Sequence, residues 1–183
     1  MKKIVVIGPE STGKSTLSSQ LAGHYHTRWV PEYAREYLLE NGTQYTYADL
    51  LPIAEGQIRL EEQTAALAAQ TVPATETEPL LFIDTDMYVM KVWCEVVFNK
   101  CHQYILDQIA LRTYHLYLLC DTDLPWVKDE LREYPDLAVR RKLFHLYHDI
   151  LTQQNTPWML ISGTYEERLQ KGIQAVEAYL CQD

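Results

Sequence analysis

Short apolar runs alternate with long amphipathic stretches along this chain, and that alternation predicts an α/β protein with a mainly parallel sheet. Ile4–Ile7 predicts the first strand and Lys14–Gly23 the helix after it. Thr27–Pro31 predicts a second strand, followed by a helix from Tyr33 to about Glu40 that Asn41-Gly42 closes. Tyr47–Gln70 has helical spacing with Ala- and Glu-rich filling, whereas Thr71–Pro79, with two prolines and no apolar period, reads as a loop. Leu80–Ile83 is a third strand carrying Asp84 at its carboxyl end, and one long helix is expected over Met87–Arg112. Tyr114–Leu119 and Trp158–Ile161 give the fourth and fifth strands, with helices over Leu137–Gln153 and Tyr165–Leu180. No repeat, low-complexity tract or linker interrupts the pattern, so residues 1–183 are expected to form a single domain.

Composition narrows the partners. The 183 residues suit one full core, and 47% hydrophobic with 22% charged residues is the balance of a folded globular chain. The net charge of −9 argues against a nucleic-acid binder, because phosphate affinity rests on Lys and Arg, although a local basic pocket for a small phosphorylated ligand is compatible with it. Met1-Lys2-Lys3 opens like a signal peptide, but the apolar run stops at Gly8-Pro9, and no stretch approaches the length of a membrane span. Cytoplasm is therefore the expected compartment. The four cysteines form no CxxC pair; Cys94 and Cys101, seven apart, are expected to share an apolar helix face. The six histidines show no zinc spacing.

The chemistry concentrates in Gly8-Pro9-Glu10-Ser11-Thr12-Gly13-Lys14-Ser15, which matches G-x-x-x-x-G-K-[ST] and lies between a predicted strand and a predicted helix. Gly8 and Gly13 let the backbone fold around phosphate oxygens with its N–H groups inward, beside the positive end of the helix dipole. Within this ATP cradle, Lys14 is expected to reach the β- and γ-phosphates and the Ser15 hydroxyl to ligate Mg²⁺. Thr16 would bond phosphate further in, with Glu10, Ser11 and Thr12 completing the loop.

A carboxylate opposite the loop is needed to hold Mg²⁺, and Asp84 is placed for it. Thr85 follows where an ATPase that works by hydrolysis would carry Glu; D-x-x-G is missing, and Asn99-Lys100-Cys101-His102 is not N-K-x-D. These absences favour transfer to a bound acceptor over transfer to water. Glu32 follows the second strand, at the sheet edge that lines the ligand crevice in doubly wound folds, and could act as base toward a substrate hydroxyl; a first-turn helix Glu is the plainer reading. Arg35, one turn on, would contact substrate phosphate or ribose, or simply pair with an acid. Asp121–Arg132 has the position of a kinase lid, with Arg132 the leading arginine for the transferring group. Arg140 and Arg141 point about 100° apart on a helix, so at most one of them faces the site. Trp126 would stack on a ring or anchor the lid, and Asp86 would serve substrate or cap the next helix.

These stretches resemble the ribosylnicotinamide kinase domain of NadR-type proteins, a P-loop kinase family. The resemblance lies in the loop from Gly8 to Ser15, in Glu32-Tyr33 with Arg35-Glu36, in Gly56-Gln57, in Phe82-Ile83-Asp84-Thr85-Asp86, and in Trp126-Val127 with Asp129 and Leu131-Arg132. It implies phosphorylation of the ribose 5′-hydroxyl of nicotinamide riboside by Mg-ATP, for NAD salvage. Lys14 and Ser15 would serve ATP and Mg²⁺, and Asp84 the metal or the acceptor hydroxyl. Glu32, Tyr33, Arg35 and Asp86 would line the riboside pocket, with Arg132 closing over the phosphates. The expected fold is a three-layer α/β/α P-loop kinase with five parallel strands in order 2-3-1-4-5, right-handed crossovers, and a lid over about 121–141. Two departures stand out. Glu130 occupies the glycine position of the family's D-G-x-R lid, and no H-x-G-H adenylyltransferase motif is present, so the second step of NAD synthesis is not expected here. The competing classes are an ATP-dependent regulatory or interaction module and a hydrolysing P-loop ATPase.

Overall fold

The computed structural model describes residues 1–71 and 78–181. Of the loop expected at 71–79, residues 72–77 lie outside the described residues. Five parallel strands, β1 (Lys2–Ile7), β2 (Arg28–Val30), β3 (Leu80–Asp84), β4 (Leu116–Cys120) and β5 (Trp158–Ile161), form one sheet in the order β2-β3-β1-β4-β5. Strand β1 is central, pairing Val6 with Asp84 on one side and Ile7 with Leu119 on the other.

The continuous apolar run of β1 is explained by burial on both faces, as parallel sheets require. Its alternate residues feed two separate cores. Ile4 and Val6 pack with Leu17 and Leu21 of α1 (Lys14–His24) and with Ala175 and Val176 of α7 (Tyr165–Leu180). Val5 and Ile7 pack instead with Leu143, Tyr147 and Leu151 of α6 (Leu137–Gln153). A third cluster joins Ala34 of α2 (Tyr33–Asn41), Ile53 and Ala54 of α3 (Leu50–Thr71), Met90 and Cys94 of α4 (Met87–Phe98) and Ile105 of α5 (Gln103–Leu111).

Two elements differ from expectation. The single helix expected over Met87–Arg112 is broken into α4 and α5, because Asn99 takes the left-handed conformation (φ 55°) that closes a helix and lets the chain turn. Cys101 consequently lies in the connection rather than on a continuous helix, packed against the same apolar cluster as Cys94. The stretch from Tyr47 begins with a short 3₁₀ turn, Tyr47–Asp49, before α3 starts at Leu50. Among the described residues no helix is long and apolar enough to cross a membrane.

Helices α2 and α3 approach closely at Gly56, where an added Cβ would stand 1.9 Å from the Tyr33 ring. Gly56→Ala is therefore expected to cost about 1–3 kcal/mol despite alanine's better helix propensity, and to lower Tm by about 5 °C. A thermal melt that shows no loss would mean the ring can move aside without cost.

Candidate active site

The loop between β1 and α1 doubles back on backbone conformations that side chains disfavour. Gly8 (φ 147°) has no room for a Cβ, which would meet the Cys120 carbonyl oxygen at 2.7 Å, and Gly13 (φ 79°) opens α1. Thr12 is fully buried and donates to Pro9 O at 2.7 Å; Lys14 Nζ donates to the same carbonyl at 3.0 Å. Behind the loop stands Arg168 of α7, 1% exposed. Its guanidinium donates to the carbonyls of Thr12, Gly163, Ile161 and Asp121 and to the Asp123 carboxylate. Sequence reasoning missed this residue. The available signal was a lone arginine in register with Gly172, Ala175 and Val176 on the buried face of α7.

Asp84 meets the loop from the end of β3. Ser15 Oγ donates to Asp84 Oδ2 at 2.5 Å. Burial pushes the Asp84 carboxyl up to about 6; Lys14 pulls the other way and Glu32 adds to the rise. A hydroxyl and a buried carboxylate brought together beside a phosphate loop fit the oxygen donors that Mg²⁺ takes in partnership with substrate phosphates. Thr85 then adopts φ 77°, a strained conformation for a β-branched residue. Gln57 of α3 braces this turn, its side-chain N–H₂ donating to Thr85 O at 3.1 Å while its oxygen accepts from Tyr33 N at 2.7 Å.

The turn sends Asp86 away from the loop. It caps α4 by accepting from Tyr88 N at 3.0 Å and accepts from Tyr117 Oη at 2.9 Å, and burial pushes its carboxyl up to about 7. Asp86 is not among the walls of the phosphate-loop cavity, which corrects its expected place in the riboside pocket. Tyr33 is corrected likewise: its ring fills the gap at Gly56 and is not a cavity wall.

The segment from β4 to α6 lies over the loop and is tied down by it. Glu10 accepts from Trp126 Nε1 (3.1 Å), Glu133 N (2.9 Å) and Tyr134 N (2.7 Å), and Ser11 Oγ accepts from Val127 N (3.1 Å). Trp126 is thus an anchor joining lid to phosphate loop, and it lines no part of the cavity. Arg35 grips both oxygens of Asp129 at 3.1 and 2.9 Å, and Tyr45 Oη donates to Glu133 at 2.9 Å. Glu10→Ala removes three of these lid hydrogen bonds at once. Trypsin cleavage after Lys128 or Arg132 is expected to accelerate about tenfold, because each lost bond to the carboxylate favours the open segment. Cleavage at the wild-type rate would show that Glu10 does not hold the lid.

Beneath the lid is a cavity of about 490 Å³. Gly8 through Thr16 form one end, and Arg132 is on the lid side. Glu32 is also a wall, and its carboxylate caps no helix N–H and accepts no hydrogen bond from the described residues. The far half is apolar and aromatic: Val89, Val92, Trp93 and Val96 of α4, with Leu38 and with Tyr45, whose Oη accepts from Trp93 Nε1 at 2.9 Å. Arg35 lines the cavity with its charge already paired to Asp129.

Sheet order, phosphate loop, partner acid and lid together define the class, an ATP-dependent phosphotransferase of the P-loop kinase fold. A family model described as an AAA domain matches residues 3–168, and the chain belongs to that family. It is 25% identical over 181 residues to the trifunctional NAD biosynthesis/regulator protein NadR of Escherichia coli (strain K12), covering 96% of this chain and 42% of that protein. The chain thus spans less than half the length of this relative. A crystal structure of NadR protein in complex with NR superposes with a TM-score of 0.73 at 23% identity, covering 97% of this chain and 50% of that one. Candida albicans thymidylate kinase has the same fold, with a TM-score of 0.66, 16% identity, and coverage of 97% and 91%.

Proposed function

We propose that this protein transfers the γ-phosphoryl group of ATP to the ribose 5′-hydroxyl of nicotinamide riboside, giving nicotinamide mononucleotide and ADP. Residues 1–183 would act as one kinase domain with a lid over about 121–141. The observation that carries this reading is the far half of the cavity. Its flat apolar and aromatic walls, Trp93 and Tyr45 among them, are accompanied by the carboxylates of Glu32 and Glu133. That combination suits an aromatic ring bearing positive charge, which the pyridinium of nicotinamide riboside is. An acceptor already carrying a phosphate would need a free cation in this half, and Arg35 is engaged with Asp129. The similarity to NadR, with NR bound in one structure, supports the same reading.

In this reading Lys14 and the loop N–H groups hold the β- and γ-phosphates while Arg132 closes from the lid. Ser15 and Asp84 would hold Mg²⁺, which would supply charge neutralisation on the triphosphate. Glu32, free of other hydrogen bonds, orients the 5′-hydroxyl and receives its proton as the oxygen–phosphorus bond forms and the bond to the leaving ADP oxygen breaks. The closed lid and apolar wall keep water from competing as acceptor.

The test is ADP release from Mg-ATP with nicotinamide riboside and a panel of ordinary nucleosides. Turnover confined to nicotinamide riboside is expected. Release at one rate with and without any nucleoside would overturn the kinase reading in favour of an ATPase. Tight ATP binding with no turnover on the whole panel would favour a regulatory module. Within the same assay, Glu32→Gln is expected to lower kcat about 10²–10⁴-fold while leaving ATP affinity unchanged, the usual weight of a general base. Full activity of that variant would remove Glu32 from the proton transfer.

A further inference from the structure

Tyr45 joins the α4 wall of the cavity to the lid through a single hydroxyl. It lies in the connection between α2 and α3, outside both helices. Its ring meets Trp93 edge-on at 4.9 Å between centroids and Phe98 at 6.2 Å. Trp93 Nε1 donates to Tyr45 Oη at 2.9 Å, and Tyr45 Oη donates to Glu133 Oε2 at 2.9 Å. Chemistry fixes the direction of both bonds: an indole N–H only donates and a carboxylate only accepts, so the phenol proton goes to Glu133. Burial pushes the Tyr45 phenol up, against the Trp93 bond, and Glu133 adds to the rise, which keeps that proton in place.

Glu133 carries the connection onward. Its backbone N–H donates to Glu10 Oε2 of the phosphate loop at 2.9 Å, so one lid residue is fastened to the loop by its main chain and to Tyr45 by its side chain. Glu10, Tyr45, Trp93 and Glu133 all line the cavity. Arg35 and Asp129 also join α2 to the lid, but among the described residues their hydrogen bonds reach neither α4 nor the phosphate loop. We propose that Tyr45 is a positioning residue that seals the seam between the acceptor wall and the lid, keeping water from the γ-phosphoryl group. The inference rests on the phosphotransfer reading above and deepens it. When the seam parts, water takes the place of the nucleoside hydroxyl. Its oxygen bonds to the γ-phosphorus, the bond to the leaving ADP oxygen breaks and a proton passes to solvent, giving inorganic phosphate instead of a phosphorylated nucleoside.

Tyr45→Phe tests this, because the ring stays and only the hydroxyl goes; Glu133→Ala removes the other side of the same bond. Inorganic phosphate released from Mg-ATP alone is expected to rise about tenfold over wild type in either variant, and no further in the double variant, since both changes break one bond. With nicotinamide riboside present, the share of ADP not matched by mononucleotide is expected to rise by the same factor. A tyrosine that only supports the fold would lower Tm and the total rate but leave that share alone. Phosphate release at the wild-type rate in both single variants would overturn the inference, as would a double variant in which the two effects multiply. Lost mononucleotide with no gain in phosphate would make Tyr45 an acceptor contact only, and the seal would fall. If Tyr45→Phe does not fold, Glu133→Ala, at an exposed residue, decides by the same readout. No mononucleotide from wild type, with the rise in phosphate release retained, would remove the acceptor assignment and leave the seal in place.

Discussion

Lys14→Ala is expected to remove phosphotransfer, lowering kcat/KM by about 10²–10³-fold or more while the protein stays folded. Its ammonium bonds only a loop carbonyl, Pro9 O at 3.0 Å, so removing it breaks one neutral acceptor contact and leaves no buried group stranded. The loss falls on charge stabilisation, because Lys14 is the cation built into the phosphate end of the cavity. Neighbouring donors cannot replace it: the Arg168 guanidinium is spent on carbonyls behind the loop, and Arg35 on Asp129. ADP release with the acceptor and a parallel melt check this. Activity within about tenfold of wild type, at unchanged Tm, would show that transfer does not depend on this ammonium.

Arg168→Leu is expected to be the most destabilising single change, costing on the order of 3–5 kcal/mol and about 10 °C of Tm. The side chain is buried and holds four carbonyls from the phosphate loop, β5, the residue after β4 and Gly163. Leucine would fill part of the volume but would leave those carbonyls without donors in a low-dielectric interior, where each unmade bond is expensive. The variant is also expected to bind ATP more weakly, since Thr12 O anchors the loop through this guanidinium. Lysine at this position would restore charge without the planar fork, so Arg168→Lys is expected to recover less than half of the loss. A melt showing Arg168→Leu within about 1 kcal/mol of wild type would mean that water replaces the guanidinium at these carbonyls.

The parts of the site that sequence alone revealed are those whose geometry is local. The loop from Gly8 to Ser15 lies between a strand and a helix that its own residues specify, and Asp84 closes an unmistakable apolar run. The strand order 2-3-1-4-5, which the resemblance to P-loop kinases implied, is seen in the sheet. What was not legible depends on partners far along the chain. Trp126 meets Glu10 only because the lid folds back across 116 residues of sequence separation. Asp86 and Asp84 look alike in the sequence, and only the strained backbone at Thr85 sends one to the loop and the other to Tyr117. Arg140 and Arg141 are likewise indistinguishable as letters; packing of α6 against the sheet buries one and exposes the other. The break at Asn99 escaped notice because the apolar spacing runs on through both helices, and the left-handed residue between them is the one local sign.

The apolar cluster shared by α2, α3, α4 and α5 lies apart from the two clusters that flank the sheet. The α4 wall proposed for the acceptor is split between clusters: Trp93 packs on this third cluster, whereas Val89 and Val92 belong to the cluster that flanks the sheet beside Val5 and Ile7. Changes at Trp93 can therefore be absorbed by repacking the third cluster, whereas changes at Val89 and Val92 press on the strands that carry the phosphate loop. The aromatic side of that wall can thus be exchanged while the sheet stays as it is, whereas its valines are tied to the strands they cover.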